Sequence, residues 1–130
     1  MADDDLDYHL IVKCALEEVG FRGVLHEVRD GVELMDFLHR RGRHKNARPP
    51  DLIILDLNMP VMDGRSALVK INEDPQLRSI PVAVLTTSSS AEDVEFCKRF
   101  TGCSFSIKPA TYQEWTKSIQ KILRICLPSQ

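Results

Sequence analysis

The stretch "LIILDLNMPVMDG", residues 52–64, decides the fold. Four apolar residues run straight into Asp56, and Pro60 and the Asp63-Gly64 pair follow closely. A short apolar run bounded by turn residues suits a strand buried on both faces, as in a parallel sheet. A second run of the same kind, "IPVAVLTTS" (80–88), ends on Thr86 and Thr87. "GVLHEV" (23–28) alternates enough for a further strand. "CSFSI" (103–107) is a shorter, half-polar one, broken by Lys108-Pro109.

Helical patterns lie between these strands. Residues 6–19 carry apolar side chains at helical spacing, Leu6, Leu10, Cys14 and Val19 among them, and Gly20 stops them. "VELMDFLHRR" follows the Asp30-Gly31 turn, "GRSALVKINED" occupies 64–74, and "AEDVEFCKRF" occupies 91–100. "TYQEWTKSIQKILRIC" (111–126) places Tyr112, Trp115, Ile119, Ile122 and Cys126 on one face. Residues 42–50 read as a loop. Alternating strands and helices predict a doubly wound parallel α/β sheet with short connections.

The chain has 130 residues, 43% hydrophobic and 28% charged, which suits one compact domain with its own core. A net charge of −2 gives no basic field for nucleic acid. The local basic run Arg40, Arg41, Arg43, Lys45 and Arg48 has no interleaved aromatics and reads as a solvated loop. Cys14, Cys97, Cys103 and Cys126 form no CxxC pair and read as small buried hydrophobes of a reducing compartment. His9, His26, His39 and His44 lack metal-ligand spacing, which points to structural or surface roles. There is no run of about 20 apolar residues for a membrane span. The acidic start "MADDDLDY" lacks the basic and apolar regions of a signal peptide, so a cytoplasmic protein is expected.

Ligands of open α/β sheets bind outside the carboxyl ends of the strands. In a parallel sheet Asp56, Thr86, Thr87, Lys108 and the triplet Asp3, Asp4 and Asp5 would gather at one rim. Clustered carboxylates repel unless a cation joins them, and a hard ion such as Mg²⁺ prefers carboxylates, a carbonyl and waters. A carboxylate beside such an ion can attack phosphorus, while a Lys and a hydroxyl bind phosphoryl oxygens. Each residue alone has a plainer reading: Asp5 as a helix cap, Thr86 as a strand Thr, Lys108 as a solvated turn. Their joint occurrence at strand ends favours phosphoryl transfer onto an Asp.

The ordered set "ADDD" (2–5), "LIILDLNMPVMDG", "IPVAVLTTS" and "FSIKP" (105–109) resembles the receiver (CheY-like) domain of two-component response regulators, from Asp3 to about Leu123. "VRDGVELMDFL", the basic loop before "PPDLIILDLNMP", and "DPQLRSIPVAVLTTSS" narrow the likeness to stand-alone receivers related to cyanobacterial phytochrome response regulators. The resemblance implies a flavodoxin-like five-stranded parallel sheet of order 2-1-3-4-5 and a single receiver domain over 1–130 without an output domain. It implies Asp56 as phosphoacceptor and Mg²⁺ held by Asp3, Asp4, Asp56 and the backbone carbonyl of Asn58. Thr86 would be the switch hydroxyl, Lys108 the phosphate-binding Lys, Phe105 the aromatic switch residue, and Lys108-Pro109 a cis bond. The partner would be a sensor histidine kinase or phosphotransfer protein. The function implied is a signalling switch rather than a turnover enzyme.

Two departures qualify the likeness. Phe105 has no hydroxyl to offer a partner. The first strand is truncated, since only Met1 and Ala2 precede Asp3 where the family has about five apolar residues. A start assigned too late, a trimmed chain, or another chain filling the gap would each account for it. The apolar groups near the end of the last helix, Ile122, Leu123, Ile125, Cys126 and Leu127, read as packing back on the body, with a homodimer contact as the alternative. Two rival functions stand beside the main one. A degenerate, non-phosphorylated receiver would act as a binding module. An aspartate-nucleophile phosphatase of the haloacid dehalogenase type would need an Asp where Asn58 stands.

Overall fold

The structure, a computed structural model, describes residues 1–87 and 90–128. Its strands are β1 (Ile53–Leu55), β2 (Val82–Thr86) and β3 (Cys103–Ile107), all parallel in the order β1-β2-β3. Its helices are α1 (Leu6–Glu18), α2 (Gly31–Leu38), α3 (Gly64–Glu73), α4 (Ala91–Lys98) and α5 (Tyr112–Cys126), with a 3₁₀ turn at Gly42–His44 inside the expected loop. Ser88, the end of the strand expected over 80–88, lies outside the described residues.

The two remaining strands of the expected order survive as single bridges. Ala2 pairs in parallel with Val28 on one side and Leu55 on the other. Read across the sheet, Val28, Ala2, β1, β2 and β3 reproduce the order 2-1-3-4-5. Residues 23–28 therefore do not make the full strand that their alternation predicts. A ladder is only as long as its shorter member, and the shorter member here is residues 1–3. Their bonds run Met1 ammonium to His26 O (2.7 Å), Val28 N to Met1 O (2.9 Å) and Asp3 N to Val28 O (3.1 Å). On the other edge Ala2 N donates to Ile54 O (2.8 Å) and Asp56 N donates to Ala2 O (3.0 Å). Below Met1 the space between 23–28 and 51–54 is a cavity of about 410 Å³ lined by Leu16, Phe21, Leu25, Leu34, Ile54 and others.

The core has two layers, one on each sheet face. Ile53, Leu55, Val82 and Val84 pack with α2, α3 and Cys97 of α4. Ile54, Ala83 and Leu85 pack with α1 and α5 through Val12, Ala15, Leu16, Trp115, Ile119 and Ile122. Because alternate residues of β1 and β2 serve opposite layers, these two strands read as unbroken apolar runs. Four helices start on a capping side chain: Asp30, Asp63, Ser90 and Thr111 each accept the N–H three residues on. Asp5 caps α1 through Asp7 N.

Several expectations are corrected. The buried face of α1 is His9, Val12, Ala15 and Leu16, while Leu6, Leu10 and Cys14 are exposed. The helix carries two apolar stripes, and spacing alone does not say which one meets the sheet. Cys97 is buried, Cys103 and Cys126 half-buried, so Cys14 is the exception to the buried reading. On α5, Trp115, Ile119 and Ile122 are buried and Leu123 and Cys126 pack on the core, but Tyr112 and Ile125 are exposed. No peptide bond among the described residues is cis, so Lys108–Pro109 is trans. Trans is the intrinsic preference of an X–Pro bond, and the extended Thr111 (φ −121°, ψ 154°) carries the chain into α5 from it.

Candidate functional site

At the carboxyl ends of the strands the fold brings together Asp3, Asp4, Asp56, Asn58, Thr86 and Lys108. Asp56 leaves β1 directly and is 6% exposed; Asp3 follows Ala2 and is 1% exposed; Thr86 ends β2 and is fully buried. Lys108 leaves β3, its N–H donating to Thr86 O at 2.8 Å, which fixes it one residue beyond the strand.

The Lys108 ammonium sits between two carboxylates, 2.7 Å from Asp3 Oδ2 and 3.2 Å from Asp56 Oδ2, with its side chain 4% exposed. Burial pushes the Asp3 carboxyl above the usual carboxylate range, Lys108 and the Asp5 N–H oppose this, and neighbouring Asp56 adds to the rise. Burial pulls the Lys108 amine down, but Asp3 and Asp56 outweigh it and hold the amine above its ordinary value. One cation thus faces two buried anions, and Asp4 brings a third carboxylate from solvent. Oxygens of Asp3, Asp4 and Asp56 lie within 4.8 Å of one another. An all-oxygen donor set with excess negative charge fits a hard divalent cation.

The rest of the site positions Asp56. Asn58 N donates to its Oδ1 (3.3 Å), and Asn58 Nδ2 donates to Thr86 Oγ1 (3.4 Å). Gly64 starts α3 against the strand end, its N–H donating to Leu57 O (2.9 Å); a Cβ there would overlap the Asp56 carbonyl oxygen. In the intervening loop Val61 takes φ 67°, a strained conformation for a β-branched residue. Phe105 of β3 is half-buried and packs at the edge of the α2–α4 layer, paired in register with Val84.

Four neighbours of the site had no signal in the sequence. Tyr8 lays its ring 3.7 Å from the Lys108 ammonium and stacks toward Trp115 at 5.8 Å. His9 is buried against the Asp3 carbonyl. Arg65 of α3 forks onto Asp93 of α4 with two 2.7 Å bonds, joining the starts of the two helices. Nothing in the spacing of these residues marks them: Tyr8, Arg65 and Asp93 act through contacts between distant segments, and the His9 bond to Asp3 depends on which face of α1 is buried.

Comparison with known proteins agrees with this geometry. The model of the response regulator receiver domain matches residues 1–120. Response regulator Rcp1 of Synechocystis sp. is 49% identical over 67 residues, a stretch that covers 52% of this chain and 46% of that relative. The structure of phosphorylated cyanobacterial phytochrome response regulator RcpA superposes with a TM-score of 0.90 at 33% identity, covering 99% of this chain and 92% of that one. The Mn²⁺-bound form of response regulator Rcp1 gives 0.86 at 34%, covering 95% and 88%. No helix of the described residues is long and apolar enough to cross a membrane. A parallel sheet with this strand order, an acidic trio and a lysine at its rim, and a family match over nearly the whole chain lead to one conclusion: the chain belongs to the response regulator receiver domain family.

Proposed function

We propose that the chain is a phosphorylation switch that takes a phosphoryl group onto Asp56 from the phosphohistidine of a sensor kinase or phosphotransfer protein. The observation that carries this reading is the buried Asp56 carboxylate held between Lys108 Nζ and the Asn58 N–H, with Thr86 within reach through Asn58. A carboxylate oxygen of Asp56 attacks phosphorus as the P–N bond to the donor histidine breaks, and the imidazole leaves with that electron pair. Lys108, already directed at Asp56, pairs with a phosphoryl oxygen. Asp3, Asp4 and Asp56, with the Asn58 carbonyl, would hold Mg²⁺, which when bound supplies positive charge against the phosphoryl oxygens. The Mn²⁺-bound Rcp1 structure supports that assignment.

The added charge of about −1.5 to −2 then draws the Thr86 hydroxyl, and the space it leaves lets Phe105 turn inward. The face of α4, β3 and α5 changes as a result and meets the downstream partner. The likeness to RcpA and Rcp1 makes a phytochrome-linked histidine kinase the first donor to test. A phosphatase of the haloacid dehalogenase type is disfavoured because Asn58, two residues after Asp56, donates its amide to Thr86 and has no acid proton to give.

The test is intact mass after incubation with acetyl phosphate and Mg²⁺, beside Asp56→Asn, with circular dichroism on both. One added phosphoryl group in the parent alone supports the switch. No gain in a folded parent overturns it in favour of a non-phosphorylated binding module.

A further inference from the structure

His9 is 1% exposed, in the layer where α1 otherwise presents Val12, Ala15 and Leu16 to the sheet. An apolar side chain would serve that layer at lower cost, since a buried imidazole must find partners for its nitrogens. Its Nε2 stands 2.7 Å from the backbone carbonyl oxygen of Asp3. A carbonyl only accepts, so the imidazole donates. On the far side Nδ1 faces Glu27 Oε1 at 3.3 Å, a half-exposed carboxylate beside Val28. The ring is therefore held by its Nε2 bond to Asp3, with Nδ1 making no hydrogen bond among the described residues.

With this contact every polar group of Asp3 is engaged. Its N–H donates to Val28 O, Oδ1 accepts Asp5 N–H, Oδ2 meets Lys108, and its C=O accepts from His9. The carbonyl matters for the residue that follows. The Asp3 C=O and the Asp4 N–H and Cα share one planar peptide unit, so holding the oxygen fixes the direction in which Asp4 leaves the strand. Asp4 is the exposed member of the acidic trio, and burial does nothing to place it.

We propose that His9 is a positioning residue for the divalent-cation site: by holding the Asp3 carbonyl it sets the peptide plane from which Asp4 reaches the ion. This rests on the reading that the trio binds a divalent cation. Outer groups that orient metal ligands are commonly worth about 10–100-fold in affinity.

The experiment is Mn²⁺ titration by calorimetry on the parent, His9→Phe, His9→Gln, Asp4→Asn and the double variant His9→Phe/Asp4→Asn, with a melting curve for each. His9→Phe fills the ring's volume without a donor and should bind Mn²⁺ about tenfold more weakly. His9→Gln, whose amide can donate to the same carbonyl, should recover most of that loss. In the Asp4→Asn background His9→Phe should add little. Parent-like affinity in His9→Phe, or a full additive loss in the double variant, overturns the proposal. Failure of both His9 variants to fold would also overturn it, showing a folding role instead. A parent that binds no Mn²⁺ would instead remove the cation reading on which it stands.

Discussion

Lys108 Nζ and Asp3 Oδ2 meet at 2.7 Å with both side chains almost wholly buried, yet the Asp3 carboxyl is still held above its ordinary range. The site is one positive charge short. Removing an anion and removing the cation should therefore act in opposite directions. Asp3→Asn leaves a balanced Lys108–Asp56 pair and should raise the metal-free Tm by about 3 °C. Lys108→Met leaves buried carboxylates unopposed and should cost about 3 kcal/mol, partly restored by Mg²⁺. The pH dependence has a definite sign. Folded Asp3 holds its proton more tightly than the unfolded chain, so stability falls as pH rises from 3.8 through its raised value. Lys108 contributes stability below its ordinary 10.5 that is lost as pH climbs through its raised value. Melting curves of both variants and the parent across pH check each part.

Thr86 is buried with its hydroxyl accepting from Asn58, and Ile107, its partner in register, leads into Lys108. Thr86→Ala should still gain a phosphoryl group from acetyl phosphate while losing the accompanying NMR shifts of residues 103–107. An activation shift equal to the parent's would contradict the proposed link between Thr86 and Phe105.

Gly64 touches the Asp56 carbonyl where α3 begins, and the neighbour it would strike is backbone rather than a movable side chain. Gly64→Ala should cost about 2–3 kcal/mol by denaturant titration and reduce phosphorylation, since relief of the overlap displaces Asp56 itself. Gly102, with φ 77° and open space around it, should cost a similar amount on substitution through backbone strain, but leave the phosphorylation rate unchanged.

The cavity below Met1 invites an extended apolar segment joined to the Met1 nitrogen, in line with the bonds that residues 1–3 already make to 26–28 and 54–56. Burial lowers the Met1 ammonium from 8.0 to about 6. The unfolded chain thus binds a proton between those values that the folded chain refuses, and stability should rise with pH across that window. A short apolar extension should raise Tm by about 5 °C or more and abolish that slope, whereas a Gly-Ser extension of equal length should abolish the slope alone. Equal melting temperatures for the two extensions would contradict the strand reading.

The parts legible in the sequence were those where one residue type in one place has few uses. The runs 52–55 and 82–85, short and bounded by turn residues, suited strands covered on both sides, and the sheet brings the Asp, the Thr and the Lys that follow or end three successive strands to one rim. What was not legible depended on choices between equivalent patterns. The two apolar stripes of α1 look alike until the sheet buries one of them, so the burial of His9 and the exposure of Leu10 were unreadable. The 23–28 alternation promised a strand, but pairing is a property of two segments, and only Ala2 is there to bridge it. The Arg65–Asp93 fork and the Tyr8 ring over Lys108 join segments far apart in the chain, which local pattern does not report.

The single bridge at Val28 also sets where the chain is open to attack. Residues 22–24, 26 and 27 are exposed, and a protease needs a stretch of backbone free of its ladder to bind one in extended form. Arg22, outside any helix or strand, is open to trypsin there, as are Arg40, Arg41 and Lys45 in the basic loop, unlike the basic residues within α3, α4 and α5. A cut at Arg22 would divide the chain between its first and second helices while both core layers were still intact, so its rate would report local opening of residues 22–24 and not unfolding of the whole chain.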